Sequence, residues 1–354
     1  MVYHVALQAG GQGGERQIDP PTWLVTLGPV GVACFFALSG FLLSRPYARA
    51  FVRKERLPDW PGYARDRFLR IYPLYAFLVV VMWIAAPWLA VFGYHAANFG
   101  DAIAHLLFVF PFTPPGSVVN LDPPMWTMST DVQFYFVLPL LCAAIVDVFR
   151  PARRVWGYAV LVVLLIGLSI LWRVAATPYV AESWVDVVAR TKIFWQLPGM
   201  FTAFGGGMLG ALVWERALDG RRRFSGFVAL AVCVPLLVLA LNMRPSGTGP
   251  YMIWNDVLAG GGAAALVLAG CSLLRAPWIE NPVVRWAERL SYAIYLTHIY
   301  IVAKITHLTG QFHGWTFFYV TAAVSVLATA VIALPLYLFV ERPFLQLKER
   351  LRAN

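Results

Sequence analysis

The chain has 354 residues, of which 60% are hydrophobic and 13% charged, and its formal net charge is +10. A soluble domain carries about a quarter charged residues, so this composition excludes an ordinary soluble protein and fits a polytopic membrane protein read as one membrane domain over residues 1–354. The excess of positive charge does not point to nucleic acid, because basic residues collect in the cytoplasmic loops of membrane proteins.

A bilayer-spanning helix needs about 20 mostly apolar residues. In chain order, Met1 to Ala9 reads as the second half of one span, and nine apolar cores follow it. These are Val30 to Leu43, Ile71 to Phe92, Phe134 to Val148, Trp156 to Trp172, Leu197 to Val213, Phe227 to Leu241, Met252 to Leu274, Leu290 to Leu308 and Trp315 to Val340. The expected fold is therefore an all-α polytopic transmembrane bundle of about ten helices, the first one truncated. His105 to Phe112 is apolar but short and reads as an interfacial or re-entrant piece.

The basic residues orient this map. Segments Arg45–Arg70, Arg150–Arg154, Arg216–Arg223, Arg275–Arg289 and the tail from Arg342 hold 22 of the 28 Lys and Arg. Placing these on the cytoplasmic side satisfies the positive-inside rule and makes the C-terminus cytoplasmic. The glycines at 205–207, 210 and 260–262 are expected to let helices pack closely, and Pro139, Pro235 and Pro335 to kink their helices. Cys34, Cys142, Cys233 and Cys271 sit in apolar stretches without metal-like spacing, so neither a disulfide framework nor a metal site is expected.

Polar groups inside such a chain mark candidate chemistry. His4 is an imidazole within the first apolar segment, and a neutral imidazole can take a proton from an attacking hydroxyl. Arg67 and Arg70 are three residues apart, on one helical face, and lead into Ile71-Tyr72-Pro73. Two guanidiniums so placed can clamp phosphates. Trp126-Thr-Met-Ser-Thr-Asp-Val-Gln-Phe-Tyr135 gathers Thr127, Ser129, Thr130, Asp131 and Gln133 beside an apolar run. Helix capping accounts for one such residue, not for five with a tryptophan. Leu290-Ser-Tyr292-Ala-Ile-Tyr295-Leu-Thr-His298 puts a histidine on a late helix, and a packed, hydrogen-bonded imidazole is the plainer reading of it. Glu341-Arg342-Pro343 reads as a cap and anchor for the last helix.

Together these segments resemble, in order, those of the bacterial integral-membrane acyltransferases of the acyltransferase-3 type. The matching stretches are Val2 to Val5 around His4, Gly31-Val-Ala-Cys-Phe-Phe-Ala-Leu-Ser-Gly-Phe-Leu-Leu43, Arg67 to Pro73, Trp126 to Tyr135 with Asp131 where the family has Glu, Ser291 to His298, and Glu341 to Pro343. The resemblance implies O-acylation: transfer of an acyl group, often acetyl, from a cytoplasmic acyl-CoA to a hydroxyl of a cell-surface or lipid-linked glycan. Acetyl-CoA would be a donor substrate, with no permanently bound cofactor and no metal. It assigns catalysis to His4 and Asp131, the carboxylate orienting the imidazole. Arg67, Arg70 and Tyr72 would hold the donor, and Trp126, Thr127, Ser129, Gln133, Tyr135 and His298 would line the substrate site. The expected partners are the bilayer of the bacterial inner membrane, acyl-CoA and a glycan, not nucleic acid.

The chain departs from the pattern at one place. The family has a basic residue about three helical turns before this histidine, and only three residues precede His4 here. Nine helical residues rise about 13 Å, less than half the hydrocarbon core, so the natural protein is expected to start upstream. Two other readings are an inactive, truncated family member and a non-catalytic transporter of an anionic or lipid-linked solute.

Overall fold

The computed structural model describes residues 1–10, 20–89, 98–113, 121, 124–180, 194–220, 225–243, 250–273 and 281–353. Among these, all regular structure is helical. Arg16, Arg190, Lys192, Arg221 to Arg223, Arg244 and Arg275 of the charge map lie outside the described residues, as do the expected span ends Phe92 and Leu274.

The helices are α1 (Val2–Gly10), α2 (Thr22–Arg53), α3 (Trp60–Leu89), α4 (Phe99–Leu106), α5 (Met125–Val148), α6 (Arg154–Val180), α7 (Leu197–Asp219), α8 (Gly226–Asn242), α9 (Pro250–Leu273), α10 (Pro282–Leu308), α11 (Gly314–Pro335) and α12 (Arg342–Ala353). Seven of the described helical stretches are long and apolar enough to cross a membrane: α2, α3, α5, α6, α7, α9 and the rod from Gly314 to Arg352 that joins α11 to α12. Two expected spans fall short of that standard. α8 has only 17 residues. α10 has 27, but from Leu290 on its apolar character is diluted by Tyr292, Tyr295, His298, Tyr300, Lys304 and His307. The rod turns through a π-helical segment, Leu336–Glu341, immediately after Pro335. A proline deprives the helix of one backbone donor and disturbs the preceding turn, which makes this a natural place for the widened turn.

The chain forms two compact units. The first comprises Met1–Val25, Pro61–Ser129 and Glu280–Asn354; the second comprises Thr26–Trp60 and Thr130–Ile279.

In the first unit α1 packs on α10 and α11, where Val5, Ala6 and Ala9 meet Val302, Phe317 and Phe318. A second cluster joins α3 (Leu74, Tyr75, Leu78, Val79, Met82) to Ala102 and Ala104 of α4, Met125 and Met128 of α5, and Tyr292, Ala293 and Leu296 of α10. The short α4 buries one face, Asp101, Ala102, Ala104 and His105, and starts with a capping box at Asn98 and Asp101. Its His105 is a structural histidine. Nδ1 faces the Asp101 carbonyl at 2.8 Å and so carries the proton, while Nε2 accepts from the Leu121 N–H at 3.4 Å.

In the second unit the glycines do what close helix packing demands. A Cβ on Gly207 would strike the Ala37 carbonyl, and one on Gly40 the Phe204 carbonyl, so α2 and α7 touch backbone to backbone. Gly260 of α9 lies against Ala203 of α7 in the same way. A buried ion pair crosses this unit: Arg173 of α6, whose side chain is 1% exposed, reaches Asp256 of α9 at 2.7 Å. Its Nε donates to the Gly199 carbonyl at 2.6 Å. An arginine in a membrane helix is tolerated only when its charge and donors are answered like this.

Candidate active site

The first unit builds a polar cluster around His4. α1 is held by its small and branched residues Val5, Ala6 and Ala9, and this anchors the histidine one position before them. On α10, Tyr295, His298 and Val302 are spaced three and four apart and share a face. Val302 packs under α1, so His298 comes beside His4 with ring centroids 5.2 Å apart. His298 is 7% exposed, and its Nδ1 lies 2.7 Å from the Tyr295 carbonyl. A carbonyl only accepts, so Nδ1 bears the hydrogen and Nε2 keeps a lone pair. No described residue hydrogen-bonds that Nε2. This separates His298 from His105, both of whose ring nitrogens are engaged.

The cluster continues into α5. Thr127 Oγ1 donates to the Pro124 carbonyl at 2.9 Å and lies 2.7 Å from the Tyr295 hydroxyl. With the threonine proton committed, the tyrosine is the donor of that pair. Ser129 donates to the Phe108 carbonyl at 3.0 Å. Trp126 is half-buried against the α3–α4–α10 core.

The polar strip therefore does not precede its helix. α5 begins at Met125, so Thr127 to Tyr135 occupy its first turns, and capping accounts for none of them. Five successive residues, Thr127 to Asp131, are buried.

The rest of the strip belongs to the second unit. Asp131 is 1% exposed, and neither carboxyl oxygen has a hydrogen-bond partner among the described residues. Ser39 is its polar neighbour, outside hydrogen-bond geometry. A buried carboxyl left so is costly, and within a membrane protein that cost marks a functional candidate. Thr130 donates to the Trp195 carbonyl at 2.5 Å. Gln133 gives its amide N–H to Gln196 at 2.6 Å and takes the Leu197 N–H at 3.2 Å. Gln133 thus caps the start of α7, where Gln196 makes no side-chain cap of its own. Tyr135 is half-buried on the same helix. The structure groups His4, His298, Thr127, Ser129 and Trp126 in one unit and Asp131, Gln133 and Tyr135 in the other.

The expected donor residues lie on the first turns of α3. Arg70 is not a free guanidinium: its Nη1 donates to Glu341 at 2.9 Å, and the Glu341 side chain is 1% exposed. Glu341 accordingly does not cap the last helix, which runs on through it, but neutralises Arg70. Arg67 lies 6.0 Å from the Tyr63 ring, and its buried Nε has no hydrogen-bond partner. Tyr72 stacks on Phe68 with centroids 4.7 Å apart.

The family model of the acyltransferase-3 type, described as an acyltransferase domain, matches residues 1–336. The chain belongs to this family. It is a multi-pass membrane acyltransferase. It is 26% identical to the acyltransferase MdmB of Streptomyces mycarofaciens over 93% of this chain and 84% of that one. It is 24% identical to Nodulation protein 10 of Rhizobium leguminosarum bv. viciae, covering 94% of this chain and 87% of the relative. A third relative, the peptidoglycan O-acetyltransferase candidate YrhL of Bacillus subtilis (strain 168), is 24% identical over 89% of this chain and half of its own length. No solved structure matches the chain.

Sequence reasoning named His4, Trp126, Thr127, Ser129 and His298 as site residues but joined His4 to no other residue of its own unit. It passed over Tyr295 as a site residue and over Lys348 altogether. The signal for Lys348 was present in the last segment, where Glu341, Leu345, Lys348 and Arg352 fall on one helical face.

Proposed function

We propose that this acyltransferase moves an acyl group, most simply acetyl, from a cytoplasmic acyl-CoA to a hydroxyl of a cell-surface or lipid-linked glycan. The site lies in the bacterial cell membrane, with the C-terminus cytoplasmic. The observation that carries this reading is the imidazole pair His4 and His298, with His298 fixed as one tautomer by the Tyr295 carbonyl.

The chemistry follows from the residues. A glycan hydroxyl attacks the thioester carbonyl; the new O–C bond forms as the C–S bond breaks. His4 takes the hydroxyl proton and returns it to the departing thiolate, leaving the imidazole neutral as it began. His298 presents a lone pair beside it and steadies the ring when it is charged. Thr127 and Tyr295 give the acceptor a polar wall, and Asp131 is the buried carboxyl through which the resemblance would orient the base. No metal and no bound cofactor are needed for this sequence of steps. The name of YrhL, a peptidoglycan O-acetyltransferase candidate, favours an acetyl group and a saccharide acceptor.

The test is acetyl-CoA-dependent acylation of surface glycans in cells expressing the chain, compared with His4→Ala at matched expression. Loss of a general base costs about 10²–10⁴-fold in rate. Full activity in His4→Ala would remove His4 from the reaction. An assay with acyl-CoA and no acceptor, which reads thioester cleavage, separates an enzyme from a transporter.

A further inference from the structure

A second charged cluster in the first unit is left over by this account. α12 docks on the start of α3 at two points. Arg65 Nη1 donates to the Leu351 carbonyl at 3.1 Å, and the Arg352 guanidinium clasps Asp66, its Nε at 2.6 Å from Oδ2. Arg70 and Glu341 close the other end of the junction at 2.9 Å.

The charges here do not balance. Arg65, Arg67, Arg70, Lys348 and Arg352 face two carboxylates, Asp66 and Glu341. Asp66 is shared by Arg65 and Arg352, and Glu341 is taken by Arg70. Arg67 and Lys348 have no carboxylate partner among the described residues, and the Arg67 Nε is buried without an acceptor. Lys348 is half-buried, one turn before Arg352 and two turns after Glu341, so it lies on the helix face turned to α3. Its charged neighbours are Arg67, Arg352, Asp66 and Arg70. Like charges gathered at a half-buried junction cost stability unless an anion joins them.

We propose that Arg67 and Lys348 form a clamp for a multiply charged phosphate. In the reading of the function given above, on which this rests, its occupant is the phosphate-bearing end of the acyl-CoA donor. The clamp revises the pair Arg67 and Arg70: the second cation is Lys348, supplied by a helix that lies beyond the residues matched by the family model. The size of the imbalance favours a polyphosphate over a singly charged lipid headgroup, since a phosphomonoester alone carries about −1.5 to −2 and a diphosphate adds to it. A planar guanidinium beside a flexible ammonium suits two phosphate groups of different geometry.

The experiment measures coenzyme A binding to the full chain in phosphatidylcholine nanodiscs by titration calorimetry. Variants are Lys348→Ala, Lys348→Arg, Arg67→Ala and, on the exposed side of the same helix, Gln346→Ala. Melting temperature is followed for each, because Lys348→Ala leaves the Arg65 and Arg352 anchors intact and should fold. The expected result is about tenfold weaker coenzyme A binding in Lys348→Ala and Arg67→Ala, near-normal binding in Lys348→Arg and Gln346→Ala, and a steep loss of affinity with salt. A parallel series in phosphatidylglycerol nanodiscs tests the lipid source. If Lys348→Ala leaves coenzyme A binding alone but removes a thermal stabilisation given by phosphatidylglycerol, the clamp stands and its phosphate is the lipid's. If neither ligand distinguishes Lys348→Ala from Gln346→Ala, the clamp is refuted. Binding is read without turnover, so a chain that binds coenzyme A through Lys348 yet transfers nothing would sink the proposed reaction and not the clamp.

Discussion

Replacing Arg70 should damage the fold before it damages donor binding. The pair Arg70–Glu341 has an N–O distance of 2.9 Å, with side-chain exposures of 33% and 1%. At an effective dielectric of about 20, two charges at this separation attract by roughly 6 kcal/mol. Desolvation of the buried glutamate and water around the arginine take back most of that, leaving a net effect of about 1–3 kcal/mol. Arg70→Ala adds a further loss, because the second oxygen of Glu341 already lacks a partner and the whole carboxyl would then be buried alone. The expected result is a melting temperature lower by several degrees for purified Arg70→Ala in detergent or nanodiscs, with donor KM little changed in the fraction that stays folded. Glu341→Gln should cost less, since an amide tolerates burial better than a charge. Arg70→Ala combined with Glu341→Gln should recover part of the loss, giving a non-additive cycle. An Arg70→Ala protein that melts like the wild type and loses only donor affinity would refute this reasoning and restore Arg70 to the phosphate site.

Other outcomes test separate parts of the structure. His298→Asn keeps a donor for the Tyr295 carbonyl but loses the ring lone pair, so it should fold normally and lose at least tenfold in kcat; unimpaired turnover would reduce His298 to packing. Gly207→Ala should destabilise by about 1–3 kcal/mol or more, because its Cβ meets the Ala37 backbone, whereas Gly167→Ala, with open space around it, should be neutral or gain up to about 1 kcal/mol of helix propensity. Thermal melts of the two proteins side by side decide this. Arg173→Leu strands Asp256 and should cost about 3–5 kcal/mol, with partial recovery in Arg173→Leu combined with Asp256→Leu. If Asp131 orients His4, the losses in kcat from His4→Ala and Asp131→Asn will fail to add; full additivity would assign the carboxyl another role.

Much of this protein was legible in its sequence because the bilayer imposes a one-dimensional rule. A span must be apolar over its length and satisfy its own backbone, so hydrophobic runs alone gave an all-helical, multi-pass chain. The ordered motifs gave the family. Helix boundaries were less legible where polar residues were buried, as at Thr127 to Thr130, since hydropathy cannot see polar groups that partners satisfy inside a helix.

Partnerships between residues far apart in the chain come from helix packing and not from local sequence. His4 lies beside His298 because α1 packs on α10, and Arg70 is paired with Glu341 across 271 residues of chain. Neither spacing nor residue type encodes such pairings, which depend on which faces of which helices meet. The glycines show the reason plainly: Gly40 and Gly207 are small in any sequence, but only the backbone contact of α2 with α7 shows that a single added carbon at either would force the two helices apart.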